Sequence, residues 1–184
     1  MKKARYFVAI VIPEPIASEV CALQEFVAAH YESRAALRSP PHITLVPPFS
    51  AEDCQIDHLY KTIRSISNTM QSGVQLALDG FDVFGKRVIF VHVKPNRALT
   101  DIVDRTSRVL RHNGFAIKEE RREYHPHVTI AFKDLKPMMF NQAWSYLSTI
   151  KLKHIFTVQS LALLCHRDGR WHILQTFDVG KELT

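Results

Sequence analysis

The chain has 184 residues, 46% hydrophobic and 23% charged, with 24 Lys+Arg against 18 Asp+Glu for a formal net charge of +6. This composition excludes disordered, collagen-like and coiled-coil chains, and at this length a single domain spanning residues 1–184 is expected. The charge permits an anionic partner, although a diffuse +6 focuses nothing by itself.

Lys2 and Lys3 ahead of an apolar run over 6–12 give the outline of a signal peptide. Pro13, Glu14 and Pro15 end that run after seven residues, so a first strand is expected instead. A helix follows, with Ile16, Val20, Leu23, Val27 and His30 on one face at steps of four and three. Pro40-Pro41 precede a short strand over 42–46, which Pro47-Pro48 should terminate. Asp53 is the expected N-cap of a second helix that turns Ile56, Leu59, Tyr60, Ile63, Ile66 and Met70 inward. Strands over 74–84 and 87–94 join at Gly85-Lys86 as a hairpin.

A third helix has Leu99, Ile102, Val103, Thr106 and Leu110 on its face and stops at Asn113-Gly114. Pro126 precedes a strand over 127–132. Pro137 opens a fourth helix with Phe140, Ala143, Trp144 and Leu147 inward. The end reads as one long hairpin, 155–165 and 171–179, turning at Asp168-Gly169. No run approaches the ~20 apolar residues of a membrane span. Cys21, Cys54 and Cys165 are too few and too scattered for a disulfide framework or a zinc site, which suits a reducing cytoplasm.

Ten histidines outnumber the five tyrosines and four methionines, so each is read for acid/base or ligand chemistry. Two of them sit in a repeated pattern. The strand from Arg5 to Pro13 lies over the one from Arg87 to Pro95, 82 residues later. Pro41-His42-Ile43-Thr44-Leu45 lies over Pro126-His127-Val128-Thr129-Ile130, 85 residues later. Two ordered landmarks at nearly one spacing imply a repeated strand–helix–strand unit, at about 5–94 and 87–179.

In a strand, residues i and i+2 project from one face about 6.6 Å apart. His42 and Thr44 therefore share a face, as do His127 and Thr129, while Ile43, Leu45, Val128 and Ile130 point to the opposite, apolar one. One histidine on a strand is usually structural; a matched pair related by a pseudo-two-fold axis can face itself across a cleft. Two opposed imidazoles suit in-line displacement at phosphorus, one taking a proton from the incoming oxygen and one giving a proton to the departing oxygen. Two threonine hydroxyls would hold the non-bridging oxygens. Such chemistry needs neither metal nor cofactor.

The paired motifs resemble those of the 2H phosphoesterases, within them the 2′-5′ RNA ligase or RNA 2′,3′-cyclic phosphodiesterase branch. The 5–13 opening and the closing hairpin with Trp171 and Phe177 extend the resemblance over nearly the whole chain. It implies an α+β fold of two pseudo-symmetric lobes, each an antiparallel sheet with two helices on its outer side, around a V-shaped cleft. It also implies opening of an RNA-terminal or nucleotide 2′,3′-cyclic phosphate to a 2′-phosphate, with His42 and His127 as the acid/base pair and Thr44 and Thr129 on the phosphate. A monomer without an obligate protein partner is expected. A nucleotide-binding module without catalysis, and a 2′-5′ ligase running without ATP, are the rival readings of the same cleft. The motifs continue as Val46-Pro47-Pro48-Phe49 and Ala131-Phe132-Lys133, where the best-known members carry a small residue with Gly and an Arg.

Arg121, Arg122 and Tyr124, just ahead of the second motif, could supply a cation and a stacking ring for a nucleotide, and Phe49 and Phe132 could flank a base. His125 and His127 invite a metal reading, but no third ligand stands at the required spacing. His92 lies on a strand whose alternation does not settle its face. Arg105, Arg108 and Arg111 form a helix stripe that reads first as a solvated face.

Overall fold

The computed structural model describes residues 3–119 and 123–180. The elements run β1 (Lys3–Val11), α1 (Ile16–His30), β2 (His42–Glu52), α2 (Ile56–Asn68), β3 (Gln75–Phe84), β4 (Val88–Val93) and α3 (Arg97–His112). They continue with β5 (His127–Ala131), α4 (Pro137–Leu147), β6 (Lys153–Thr157), β7 (Ser160–Arg167) and β8 (Arg170–Asp178), with short 3₁₀ turns at Ala35–Arg38 and Asp53–Gln55.

The strands form two four-stranded antiparallel sheets, ordered β2-β1-β7-β8 and β5-β4-β3-β6. The expected α+β architecture of two lobes is present, but the lobes are not the two sequence repeats. β3 of the first repeat pairs with β4 and β6 of the second, while β7, with β8 beside it, closes back on β1. The segment expected as one strand over 155–165 is therefore two strands. Residues 158–159 break the ladder and let the chain leave the second sheet for the first, with the Val158 amide on the Val74 carbonyl and the Val179 amide on that of Gln159.

The helices are exchanged as well. Glu19 of α1 pairs with His154 of β6 at 2.6 Å, and Phe26 stacks on Tyr146 of α4 at 4.4 Å, so α1 belongs with the second sheet. Arg105 of α3 donates to the Thr69 carbonyl at the end of α2, and α3 packs along β2 of the first sheet. Each sheet thus has two helices, one of them lent by the other repeat.

The strand register relates the repeats more closely than the proline landmarks do. Val11 stands opposite His42 and Ala9 opposite Thr44; His92 stands opposite His127 and Phe90 opposite Thr129. The equivalence between β1 and β4 is thus 81 residues, one less than the spacing of Arg5 and Arg87. A one-residue slip would exchange the two faces of a strand. At 81, the buried Val8, Ile10 and Ile12 superpose on the buried Ile89, Val91 and Val93, and the core faces agree. These residues join Leu59, Ile63 and Ile66 of α2 in the main core, each side chain contributing about 2–3 kcal/mol of apolar burial.

β2 does not stop at Pro47-Pro48. It is an edge strand, where a missing amide costs no ladder bond, and its pairing with β1 shifts between Tyr6 and Val8, alongside the two prolines. The cap of the second helical segment is Glu52 rather than Asp53: its amide donates to Gln55 Oε1 at 3.0 Å in a capping box around the short 3₁₀ turn. On α1 the buried set is Ile16, Ala17, Val20, Gln24, Val27 and Ala28, whereas His30 is exposed. The true stripe is rotated from the expected one and contains a glutamine. No helix of the described residues is long and apolar enough to cross a membrane.

Candidate active site

Both motif strands, β2 and β5, are edges of their sheets, and they approach each other. Within each, burial alternates through the motif: His42 and Thr44 are half-buried around buried Ile43 and Leu45, and His127 and Thr129 around buried Val128 and Ile130. The buried set enters the core, which leaves the two His-x-Thr pairs on the opposite face. His42, Thr44 and Thr129 line one cavity of about 350 Å³. His127 is close enough for its charge to be felt at His42.

The two imidazoles are held alike. His42 Nδ1 lies 2.7 Å from the Pro40 carbonyl and His127 Nδ1 lies 2.8 Å from the His125 carbonyl. A carbonyl only accepts, so each Nδ1 carries hydrogen, and Nε2 is the nitrogen left for a ligand. Aromatic rings fix the other faces, Phe7 against His42 at 4.8 Å, and Phe84 and Phe90 against His127 at 5.1 and 5.2 Å. Burial is the chief reason that both histidines lie below their ordinary value. The neighbouring imidazole charge, His127 for the first and His125 for the second, adds to it.

Edge strands leave carbonyls without a neighbouring strand to receive them. Here two side chains serve them in a reciprocal manner. Tyr124, from just before the second motif, donates its hydroxyl to the Thr44 carbonyl at 2.8 Å, and Gln24, from before the first, donates Nε2 to the Thr129 carbonyl at 2.8 Å. Each sequence repeat thereby grips the motif of the other. Tyr124 is thus a clamp rather than the expected stacking ring, and burial pushes its phenol far above the usual range. Tyr124→Phe is expected to leave a carbonyl unsatisfied, costing about 1–3 kcal/mol. A thermal melt should fall by roughly 2–10 °C, with the retained ring limiting the loss to the hydroxyl.

Other expected residues divide. Phe132 lines the cavity. Phe49 does not: it is 5% exposed, with its ring 6.3 Å from Tyr6 and 6.1 Å from Phe115, and belongs to the core. The two register shifts against β1 add up to two residues, so Phe49 keeps the inward parity of Ile43 and Leu45. Arg121 and Arg122 lie outside the described residues. His92 is in register with His127 on β4 but is not among the cavity-lining residues. Among the described residues no three His, Cys, Asp or Glu side chains converge as metal ligands.

Several lining residues had not been singled out. Arg5, Arg38 and Lys133 bring cations to the cavity and no Asp or Glu of the described residues lines it, so it is far more positive than the overall charge implies. Trp171, packed edge-on against Phe7 at 4.7 Å with Arg5 over its ring at 5.5 Å, forms an aromatic wall. Lys133 has φ +63°, and the Asp134 amide returns to the Phe132 carbonyl at 2.6 Å, a tight turn that exposes the lysine at the cavity. Asp134 in turn accepts from Ser33 Oγ at 2.8 Å and from the Arg34 and Ala35 amides at 2.8 and 2.9 Å, joining the exits of β5 and α1.

Residues 12–170 match the family model described as the 2′-5′ RNA ligase superfamily. A Geobacillus kaustophilus protein, provisionally named a phosphoesterase, is 31% identical over 168 residues, covering 88% of this chain and 92% of that one. The RNA 2′,3′-cyclic phosphodiesterase of Bacillus subtilis is 29% identical over 140 residues, covering 71% and 72%. Among solved structures, Escherichia coli LigT complexed with 3′-AMP superposes with a TM-score of 0.67 at 18% identity, over 98% of this chain and all of that one. TT0787 of Thermus thermophilus does so with a TM-score of 0.68 at 14% identity, over 97% and 100%.

Proposed function

Because the chain belongs to the 2′-5′ RNA ligase superfamily, a group of 2H phosphoesterases, we propose that it is a phosphodiesterase opening nucleotide or RNA-terminal 2′,3′-cyclic phosphates. The observation that carries this reading is the pair of Nδ1-tethered imidazoles on neighbouring sheet edges, each two residues from a threonine that lines one positive cavity, which His42 lines as well. In the proposed step an oxygen of water forms a bond to phosphorus while the bond from phosphorus to O3′ breaks. One imidazole Nε2 takes a proton from the water and the other, protonated, gives one to O3′. Thr44 and Thr129 hydroxyls, with the cleft's cations, hold the non-bridging oxygens as charge builds on them. A 2′-phosphate is left.

The test is turnover of 2′,3′-cyclic AMP and of a cyclic-ended oligoribonucleotide in excess EDTA, with the product identified by phosphorus NMR. A 2′-phosphate is expected from at least one of them. No turnover of either, or arrest by the chelator, would overturn the reading.

The pH dependence follows from burial. Both histidines sit below their ordinary 6.5, so the singly protonated pair is populated in the free protein only on the acid side of that value. kcat/KM is expected to peak below pH 6.5 and to fall as pH rises, because the proton donor is lost. A bound phosphate anion favours the cationic imidazole, so the kcat profile should lie at higher pH.

A further inference from the structure

Gln24 is 3% exposed on α1, yet it lines the cavity. Its Nε2 is committed to the Thr129 carbonyl, and since that carbonyl only accepts, the two ends of the amide are assigned without ambiguity. Among the described residues no donor reaches Oε1. No buried side-chain oxygen or nitrogen of the described residues lacks a partner, so Oε1 is not sealed into the protein and opens onto the space that Gln24 lines. The cavity therefore holds a fixed neutral acceptor, anchored on the residue proposed to hold the phosphate, among polar side chains that are otherwise hydroxyls, imidazoles and cations. Phosphate oxygens in their ionised form donate nothing and cannot be its partner. The ligand atom that suits it must carry a proton to give.

We infer that Gln24 positions the attacking water, its Oε1 accepting a hydrogen bond from the water proton that the catalytic imidazole does not take and that stays on the oxygen joining phosphorus. This rests on the phosphodiesterase reading above and assigns that site its nucleophile. Water has two protons. One passes to the imidazole as the new O–P bond forms; the other, held by Oε1, points an oxygen lone pair at phosphorus. The P–O3′ bond breaks and O3′ receives its proton from the second imidazole. An alcohol carries carbon where water carries its second proton, and would set that carbon against Oε1. The cleft is thereby biased toward hydrolysis and against joining the cyclic end to a 5′-hydroxyl.

The experiment is product partition: 2′,3′-cyclic AMP is offered to the full chain in buffered aqueous methanol, and the 2′-phosphate and its methyl ester are measured together. Both products arise from one complex, so their ratio is independent of substrate affinity. Gln24→Lys keeps a donor for the Thr129 carbonyl and removes the acceptor; Gln24→Glu keeps the acceptor and removes the donor. Lysine is expected to raise the ester-to-phosphate ratio roughly tenfold. Glutamate is expected to hold the wild-type ratio while the total rate drops through the lost clamp. Gln24→Met, of similar length and without an acceptor at that position, stands in for lysine if a melt shows that the lysine variant does not fold. Equal ratios in the wild type and in the acceptor-lacking variant would overturn the inference, as would a shift of the ratio in Gln24→Glu. Failure of the wild type itself to consume the cyclic nucleotide in either solvent would instead remove the phosphodiesterase reading on which the inference rests.

Discussion

Alanine in place of either His42 or His127 is expected to lower kcat by about 10²–10⁴-fold, the range for loss of one positioned acid or base. The double variant should be little slower than either single one, because a displacement lacking one proton transfer gains little from keeping the other. The fold should survive. Each imidazole makes one hydrogen bond, from Nδ1 to a carbonyl two residues earlier, and ring contacts to Phe7 or to Phe84 and Phe90. Neither is an ion-pair partner among the described residues. Melts of the variants beside steady-state rates on a 2′,3′-cyclic nucleotide provide the check. A residual rate within tenfold of wild type in either single variant, with the melt unchanged, would sink the two-histidine mechanism. The ordinary basis for such variants is sharpened by their pH dependence: with one imidazole gone, the remaining activity should lose one limb of the profile, and which limb disappears assigns acid and base.

The paired motif was legible in the sequence because everything that places it is local. Period-two burial puts His42 with Thr44 and His127 with Thr129, and a proline stands just before each strand that carries them. The order of strands and helices was legible for the same reason, except that the run over 155–165 hides the break between β6 and β7. The assignment of strands to sheets was not, since the return of β7 to β1 leaves no mark on either strand's own periodicity. The Arg5/Arg87 and Pro13/Pro95 landmarks mislead by one residue because they match composition at strand ends, whereas register is set by which face meets the core. Phe49 was misplaced because the strand was expected to end at Pro47-Pro48; carried past the prolines, the alternation that turns Ile43 and Leu45 inward turns Phe49 inward as well.

Gln24 escaped notice for an instructive reason. Residues 16, 20 and 24 are one stripe at steps of four, and a polar residue in an apolar stripe tends to be assigned to solvent while the neighbouring Leu23 is taken as core. The buried glutamine was the sequence's signal for a contact between the two repeats. Lys133 gave a fainter one. It was seen only as a departure from the family pattern, and the left-handed turn that carries it to the cavity depends on Asp134 finding its partners nearly a hundred residues away.

Asp134→Ala is expected to be the most destabilising substitution at the cleft. Its carboxylate receives three hydrogen bonds, from the Ser33 hydroxyl and the Arg34 and Ala35 amides, and Ser33 is fully buried. Hydrogen bonds to a charged group contribute about 1.5–3 kcal/mol each, and a buried donor left unmade carries its full desolvation cost. Allowing for water entering the partly exposed end, the loss is about 3–5 kcal/mol, a fall of roughly 10 °C or more in the melt. Asparagine should recover only part of this, since its Oδ1 accepts but its amide nitrogen would face a donor. Activity should fall further than stability alone explains at temperatures where the variant remains folded. The 3₁₀ turn after Ala35 carries Arg38 into the cavity and leads to Pro40, whose carbonyl holds His42 Nδ1. Loosening that turn lets the imidazole rotate away from phosphorus, so kcat is expected to drop about tenfold or more, with a smaller change in KM. Rates and melts taken together on the alanine and asparagine variants separate the two effects. A variant that melts as the wild type does would show that water replaces the carboxylate without cost. One that melts early but turns over normally while folded would show that the strap between the lobes supports the fold without aiming His42.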